Sequence, residues 1–362
     1  TFSVPIQGFA ICEGIHCEEH EQNLPNALVY LFWDDGYCFD NPTVDCFNSI
    51  NDLFYANTYT DKNGEFIFPN VPITSSSGSP NTFYVVVELE HERYFHIVDD
   101  RTNYLFSKQA GPIFFSSGDS SFVIPVKFTS NDEVNAAAYY SYYVRIFDYL
   151  INDIERSEIA NYPSLQIKLF ADVGCIERED CGNPHFSPST PTSSDCFDTS
   201  RANYCYVSIP WFSLPSANQH SWKDAAAMEL IHALHWANGG LRDDGITLMN
   251  RWWAENWGTF LAEALQNELN DNQGAQNGDI GYFGSCAGNI EKLTWDRSMN
   301  APYTNYRDPT GWPDDSFGVY CPAAAILWDF YDNPSVPDTL SGGEEDDNVS
   351  IDLKTLWDLS SA

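Results

Sequence analysis

The chain has 362 residues, 15% of them aromatic, and carries 52 acidic against 17 basic side chains for a formal charge of −35. That length favours two domains and allows a sizeable buried core. The charge excludes nucleic acid and anionic membrane as partners, since both require positive surface; it is compatible with calcium binding, a salty medium or simple solubility.

From Thr1 to about Phe128 the pattern is β. Runs of β-branched and aromatic residues at 27–32, 65–68, 82–88 and 121–126 predict strands, separated by Gly, Pro, Asn and Ser clusters. Thr60, Asp61 and Gly64 predict a plain hairpin turn, with Gly64 at positive φ, rather than a calcium loop. After residue 130 the period changes. Residues 134–155 predict one helix capped by Asn131 or Asp132, with an apolar stripe through Ala138, Tyr142, Ile146, Tyr149 and Leu150. Strands are expected at 165–170 and 204–209, with an exposed Ser/Thr/Pro-rich loop over 184–194 between them. Helices are expected at 221–236, 249–267, 322–331 and 353–359. The fold class is α+β, a β-sandwich over 1–130 and a mainly helical domain with a small sheet over 131–362. No run of about 18 apolar residues is present, so no membrane-spanning helix is expected.

The ten cysteines fall in groups: Cys12, Cys17, Cys38 and Cys46; Cys175, Cys181, Cys196 and Cys205; Cys286 and Cys321. None has zinc-ribbon spacing, so disulfides and an oxidising, extracytoplasmic compartment are the expectation. Cys12 and Cys17 are each within reach of Cys38 or Cys46, Cys286 suits Cys321, and the pairing inside each group of four stays open. A first residue other than Met fits a secreted product whose leader is gone. Asn348-Val349-Ser350 is a glycosylation sequon in an acidic, exposed loop.

Gly8, the 25–29 strand entry and the Thr60-Asp61-x-x-Gly64-x-Phe66 turn make the first half resemble the carboxypeptidase-regulatory-like, or transthyretin-like, β-sandwich. Such modules are accessory: they stabilise, present or bind.

The helix around Met228 holds the chain's most chemical pattern. In His-Glu-x-x-His, two imidazoles one turn apart hold zinc, and the Glu between them activates the bound water. Here Glu229 and His232 stand at the right offsets, but Met228 replaces the first His. Asp224, Met228, His232 and His235 share one helix face. With Glu255-Asn256-Trp257-Gly258-Thr259-Phe260-Leu261-Ala262 and Ala325-Ile326-Leu327-Trp328-Asp329-Phe330-Tyr331-Asp332, an acidic loop at 344–348 and a last helix, residues 133–362 resemble secreted zinc metallopeptidases of the gluzincin kind. The resemblance implies Glu229 as general base and His232 and Glu255 as metal ligands. Met228 supplies only a soft thioether, poor for zinc. Loss of even an outer-shell partner costs about 10–100-fold in metal affinity or activity, so loss of a ligating imidazole costs more. Without firmly held zinc no water is acidified and Glu229 is a vestigial base. His235 is the residue placed to rescue the metal, and His220 a second candidate.

The chain thus reads as a secreted, non-catalytic protein: a binding module, or a structural subunit of an extracellular fibre, sheath or surface layer, self-associating or holding extracellular protein partners. Aromatic richness, disulfide stapling and few lysines favour assembly, and strands near the N-terminus offer edges for pairing. An active extracellular zinc peptidase with an atypical ligand set is the first alternative. A calcium-stabilised adhesin, using loops at Asp243-Asp244 and 344–347, is the second.

Overall fold

In the computed structural model the described residues are 3–14, 17, 21–33, 53–74, 81–99, 104–115, 118–157, 159, 165–170, 185–187, 206–210, 221–237, 257–258, 260–262, 264–266, 268–269, 327, 331 and 351–360. The fold is α+β. Contacts divide the chain into Thr1–Val144 with Ser164–Ala171, and Arg145–Pro163 with Asp172–Ala362.

The first unit is β-sandwich-like. One sheet is centred on β1 (Ser3–Glu13), which pairs antiparallel with β2 (Glu21–Asn23) and β5 (Glu65–Pro72) and parallel with β9 (Phe122–Phe128). The other runs in the order β10 (Leu165–Phe170), β7 (Phe95–Asp99), β6 (Thr82–His91), β3 (Ala27–Trp33), β4 (Leu53–Tyr59), with β8 (Ser107–Phe114) also paired to β6. Contacts of β4 with β5 and of β9 with β6 and β8 place the sheets face to face. Alternation sets which side chains meet there. Val4, Ile6 and Ala10 of β1, Phe66 and Phe68 of β5, and Ile124, Val126 and Phe128 of β9 are buried, as are Val29 and Leu31 of β3 and Phe83, Val85 and Val87 of β6.

Two glycines fix local geometry. A Cβ on Gly8 would lie 2.0 Å from the Ile124 carbonyl oxygen, so only glycine admits β9 at this point. Gly64 has φ 72° and closes the expected hairpin turn. The Asp61 carboxylate accepts from the amides of Asn63 (2.8 Å) and Glu65 (2.9 Å), so it caps the turn. Buried Thr60 ties the neighbouring crossing together, donating to Leu24 O (2.6 Å) and accepting from Ala27 N (2.8 Å).

Cys12 is bonded to Cys17, five residues on, which selects one of the pairings left open within the first group of four rather than a bond to Cys38 or Cys46. The Cys17 amide donates to Gly14 O, a tight turn at the end of β1 that brings the two thiols together. The other eight cysteines lie outside the described residues.

α1 (Asn131–Asn152) starts one residue earlier than the Asn131 or Asp132 cap would place it. Ser130 is the cap: the Glu133 amide donates to its hydroxyl (3.4 Å), and Ser130 N donates back to the Glu133 carboxylate (3.2 Å), a capping box. The helix ends at Asn152, short of 155, where Glu155 takes φ 59°. Every residue from Val134 to Val144 is buried, so this stretch of α1 is enclosed all round and not merely along one stripe, while Asp132, Asp148 and Asn152 nearer its ends are exposed. Tyr140 packs at a tilt and Tyr143 edge to face against Phe95, and Tyr140 donates to Pro25 O.

In the second unit, β11 (His185–Ser187) pairs antiparallel with β12 (Tyr206–Pro210), so a strand lies inside the segment expected as loop; its His185-Phe186 pairs with Val207-Ser208. α2 (Ser221–Ala237) and α3 (Leu353–Ser360) follow the expected positions. Residues 257, 258, 260–262 and 264–266 are helical within the expected 249–267 span, and 327 and 331 within 322–331. Asp352 caps α3, accepting from the Thr355 amide at 2.8 Å. Arg156 pairs with Asp358 (2.5 Å), and Lys354 with Glu155.

Candidate functional site

α2 is an alanine-rich helix with good intrinsic propensity, and its central two turns, Ala226–Ile231 with Ala233 and Leu234, are buried. Met228 is 5% exposed and Glu229 4%, while His232 is partly exposed. Met228 and His232 are brought to one neighbour, Gly258. A Cβ built there would lie 2.9 Å from His232 Cε1, 3.1 Å from His232 Nε2 and 3.2 Å from Met228 Cγ. A helical glycine costs about 1 kcal/mol relative to alanine, and close approach of the two helical segments is the compensating contact here. Met228, His232 and Gly258 thus meet at one point of close approach.

The third motif joins the same cluster. Trp257 and Phe260 meet edge to face at 5.8 Å, Phe260 meets Tyr331 at 5.9 Å, and the Tyr331 hydroxyl bonds the Glu268 carboxylate at 2.5 Å. Arg145 donates to Leu269 O (2.7 Å) at the end of that segment.

His235 is 1% exposed and packs edge to face on Trp357 of α3, ring centroids 5.2 Å apart. Burial, with His232 nearby, pushes its pKa down to about 3, which keeps the ring neutral. Trp357 was not singled out in the sequence; its place in the amphipathic last helix was the available signal.

Zinc needs three protein donors, with the fourth position for water. Among the described residues no group of three His, Cys, Asp or Glu is arranged to hold a metal. Glu229, His232 and His235 therefore do not make a zinc site by themselves, and the donor one turn before His232 is a thioether, not an imidazole. Glu255, Asn348 and His220 lie outside the described residues, as do the loops at 243–244 and 344–347. No helix among the described residues is long and apolar enough to cross a membrane.

No family model matches the chain, and no curated protein matches it. Among solved structures it is similar to the N-terminal domain of shaft pilin SpaA from Lactobacillus rhamnosus GG, at 13% identity over 34% of this chain and 93% of that one, with a TM-score of 0.22. A candidate carbohydrate-binding protein from Pseudomonas aeruginosa matches at 14% identity over 34% of this chain and 88% of that one, TM-score 0.21. A 9R-lipoxygenase from Cyanothece matches at 11% identity over 44% of this chain and 24% of that one, TM-score 0.19. At these scores none of them assigns an activity to this chain.

Proposed function

We propose that this protein is an extracytoplasmic, non-catalytic structural or binding protein, in which a β-sandwich-like unit precedes a metallopeptidase-like helical unit without a working zinc centre. One observation carries the reading. Met228 replaces a ligating imidazole and, 5% exposed, lies against the same glycine as His232. The residues spaced for hydrolysis therefore serve a helix–helix contact. A thioether there contributes dispersion and apolar burial, which a core favours, and offers zinc little. The Cys12–Cys17 disulfide supports an oxidising compartment. Function in such a protein lies in its surfaces, as a binding module or as a self-associating subunit of an extracellular assembly.

Metal content and activity of the full chain test this. After incubation with zinc and desalting, elemental analysis is expected to find far less than one zinc per chain, and peptide hydrolysis should not change between the parent and Glu229→Gln. Stoichiometric zinc with hydrolysis abolished by Glu229→Gln would overturn it.

A further inference from the structure

A second cluster of chemical groups lies in the first unit, on the face of the β3–β4–β6 sheet opposite the sandwich core. Val29 and Leu31 are fully buried in the core, so Leu28, Tyr30 and Phe32 belong to the other face of β3. Cross-strand register extends that face. Leu28 pairs with Tyr59 and Glu88, Tyr30 with Val86, and Phe32 with Phe54 and Tyr84. Glu90 follows two residues after Glu88 on β6, beside His96 of β7.

Three rings form a continuous surface here: Tyr30 to Phe32 at 5.8 Å, Tyr30 to Phe54 at 6.0 Å and Phe32 to Phe54 at 6.3 Å. Phe54 is 56% exposed and Tyr30, Phe32, Tyr59, Glu88 and Glu90 are partly exposed, while Leu28, Tyr84 and Val86 of the same face are buried, so the three rings and the two carboxylates are the part a ligand can reach. β4 ends the strand order of its sheet, which leaves the Phe54 side of the patch at an edge.

Among the described residues neither Glu88 nor Glu90 makes an ion pair or a side-chain hydrogen bond. Burial, reinforced by Glu90, pushes Glu88 up to about 7, and burial raises Glu90 as well. Tyr30 is pushed up to about 12 by burial and then by Glu88, Glu90 and Tyr59. The connection from β3 to β4, residues 34–52, contains no Lys, Arg or His that could neutralise them. Partly desolvated carboxylates favour a paired cation. Aromatic faces attract the same ions and cover the methylene stem that carries them.

We propose that this face binds a lysine- or arginine-bearing peptide segment of a partner protein, the cationic head set against Glu88 and Glu90 and its stem against Tyr30, Phe32, Phe54 and Tyr59. A neutral sugar would stack on the rings yet leave both carboxylates unneutralised. A metal ion would use the carboxylates but gain nothing from the rings, and no three-donor group is present among the described residues. An organic cation satisfies both halves of the surface. This assignment is independent of the α2 helix, so zinc and peptidase measurements do not bear on it.

The test is titration of the full chain, by NMR or calorimetry, with an end-blocked Gly/Ser peptide carrying one lysine and with its Nε-acetylated twin. Acetylation is expected to weaken binding at least tenfold. Glu88→Gln with Glu90→Gln should weaken it at least tenfold, and Tyr30→Leu with Phe54→Leu several-fold. Neutralising two acids elsewhere on the unit, Glu13→Gln with Glu65→Gln, should change it less than twofold. The Glu88/Glu90 variant loses repulsion and should melt no lower than the parent, so lost binding would not reflect unfolding. Equal weakening by the Glu13/Glu65 variant, equal binding of the acetylated peptide, a calcium ion held by Glu88 and Glu90, or preferential binding of a neutral oligosaccharide would each overturn the assignment.

Discussion

Glu229 on α2 is buried and Glu88 on β6 half-buried, and they keep opposite company. Glu229 belongs to a motif that advertises chemistry, and around it Met228, His232 and Gly258 are packed as neighbouring helical segments pack. Glu88 belongs to no motif, and around it stand tyrosines, a second glutamate and no cation among the described residues. The contrast teaches that residues at catalytic spacing can serve packing. A surface with unmet electrostatic demand can meanwhile arise where no pattern in the sequence marks it.

The sharpest way to break that contrast is to attack the packing at Met228. If its role is core filling, Met228→Ala should cost about 2–4 kcal/mol by transfer and cavity terms, read as a lowered denaturation midpoint with unchanged m. Gly258→Val should cost about 2–3 kcal/mol, because its Cβ meets His232 and Met228 side chains that can shift only slightly. Met228→His would restore the imidazole pair of the metallopeptidase pattern. It should raise zinc affinity at least tenfold while lowering stability of the metal-free chain. A Met228→Ala variant as stable as the parent would remove the packing account.

The Glu88 side is sharpened by pH. Glu88 has its folded pKa raised to about 7 from 4.5, so its carboxylate opposes folding at high pH. Its contribution is fully favourable below about pH 4.5 and is lost as pH rises through 7. His96, next to Glu90 in the sheet, is lowered to about 4 from 6.5 by burial, as is His91 by burial and then Arg93. Their contributions are present above 6.5 and are lost as pH falls toward 4. The two trends oppose each other over the same window and flatten the parent's profile. Glu88→Gln should therefore stabilise the chain by about 1–2 kcal/mol at pH 8. It should also unmask a steeper loss of stability between pH 6.5 and 4. Thermal melts across that range check both signs.

The β half was legible where β-branched and aromatic residues run together: the strands at 27–33, 65–72, 82–91 and 122–128 contain the expected runs almost entire. β8 escaped notice because Ser107-Lys108-Gln109 is polar and Gly111-Pro112 reads as a break, although β6 holds it by register. α1 was found, but its enclosure was not, since tyrosines at 139, 140, 142 and 143 blur a stripe into a ring of aromatics. The pairing of Cys12 with Cys17 was left open because it is set by local turn geometry, which cysteine counting does not see. The Met228 helix was legible from spacing alone. The Glu88 face was not, because it is assembled by register across three strands and no linear window contains it.

The smallest effect isolates what a partner does to a glutamate. Burial alone would raise Glu133, but hydrogen bonds from Lys108 (2.9 Å) and from the Ser130 and Thr129 amides outweigh it and hold its carboxyl below the usual range. Glu133 is therefore the paired counterpart of unpaired Glu88, in the same unit. Its stabilising contribution is present above about pH 4.5 and is lost as pH falls through its lowered folded pKa, opposite in sign to that of Glu88. Glu133→Gln keeps the capping geometry but removes the charge, so it should cost about 0.5–1 kcal/mol at pH 7. That loss should shrink as acid protonates the parent's carboxylate. A cost unchanged between pH 7 and 3 would mean that Glu133 acts through shape and neutral hydrogen bonds alone, and the charge-based contrast with Glu88 would fail at its best-paired end.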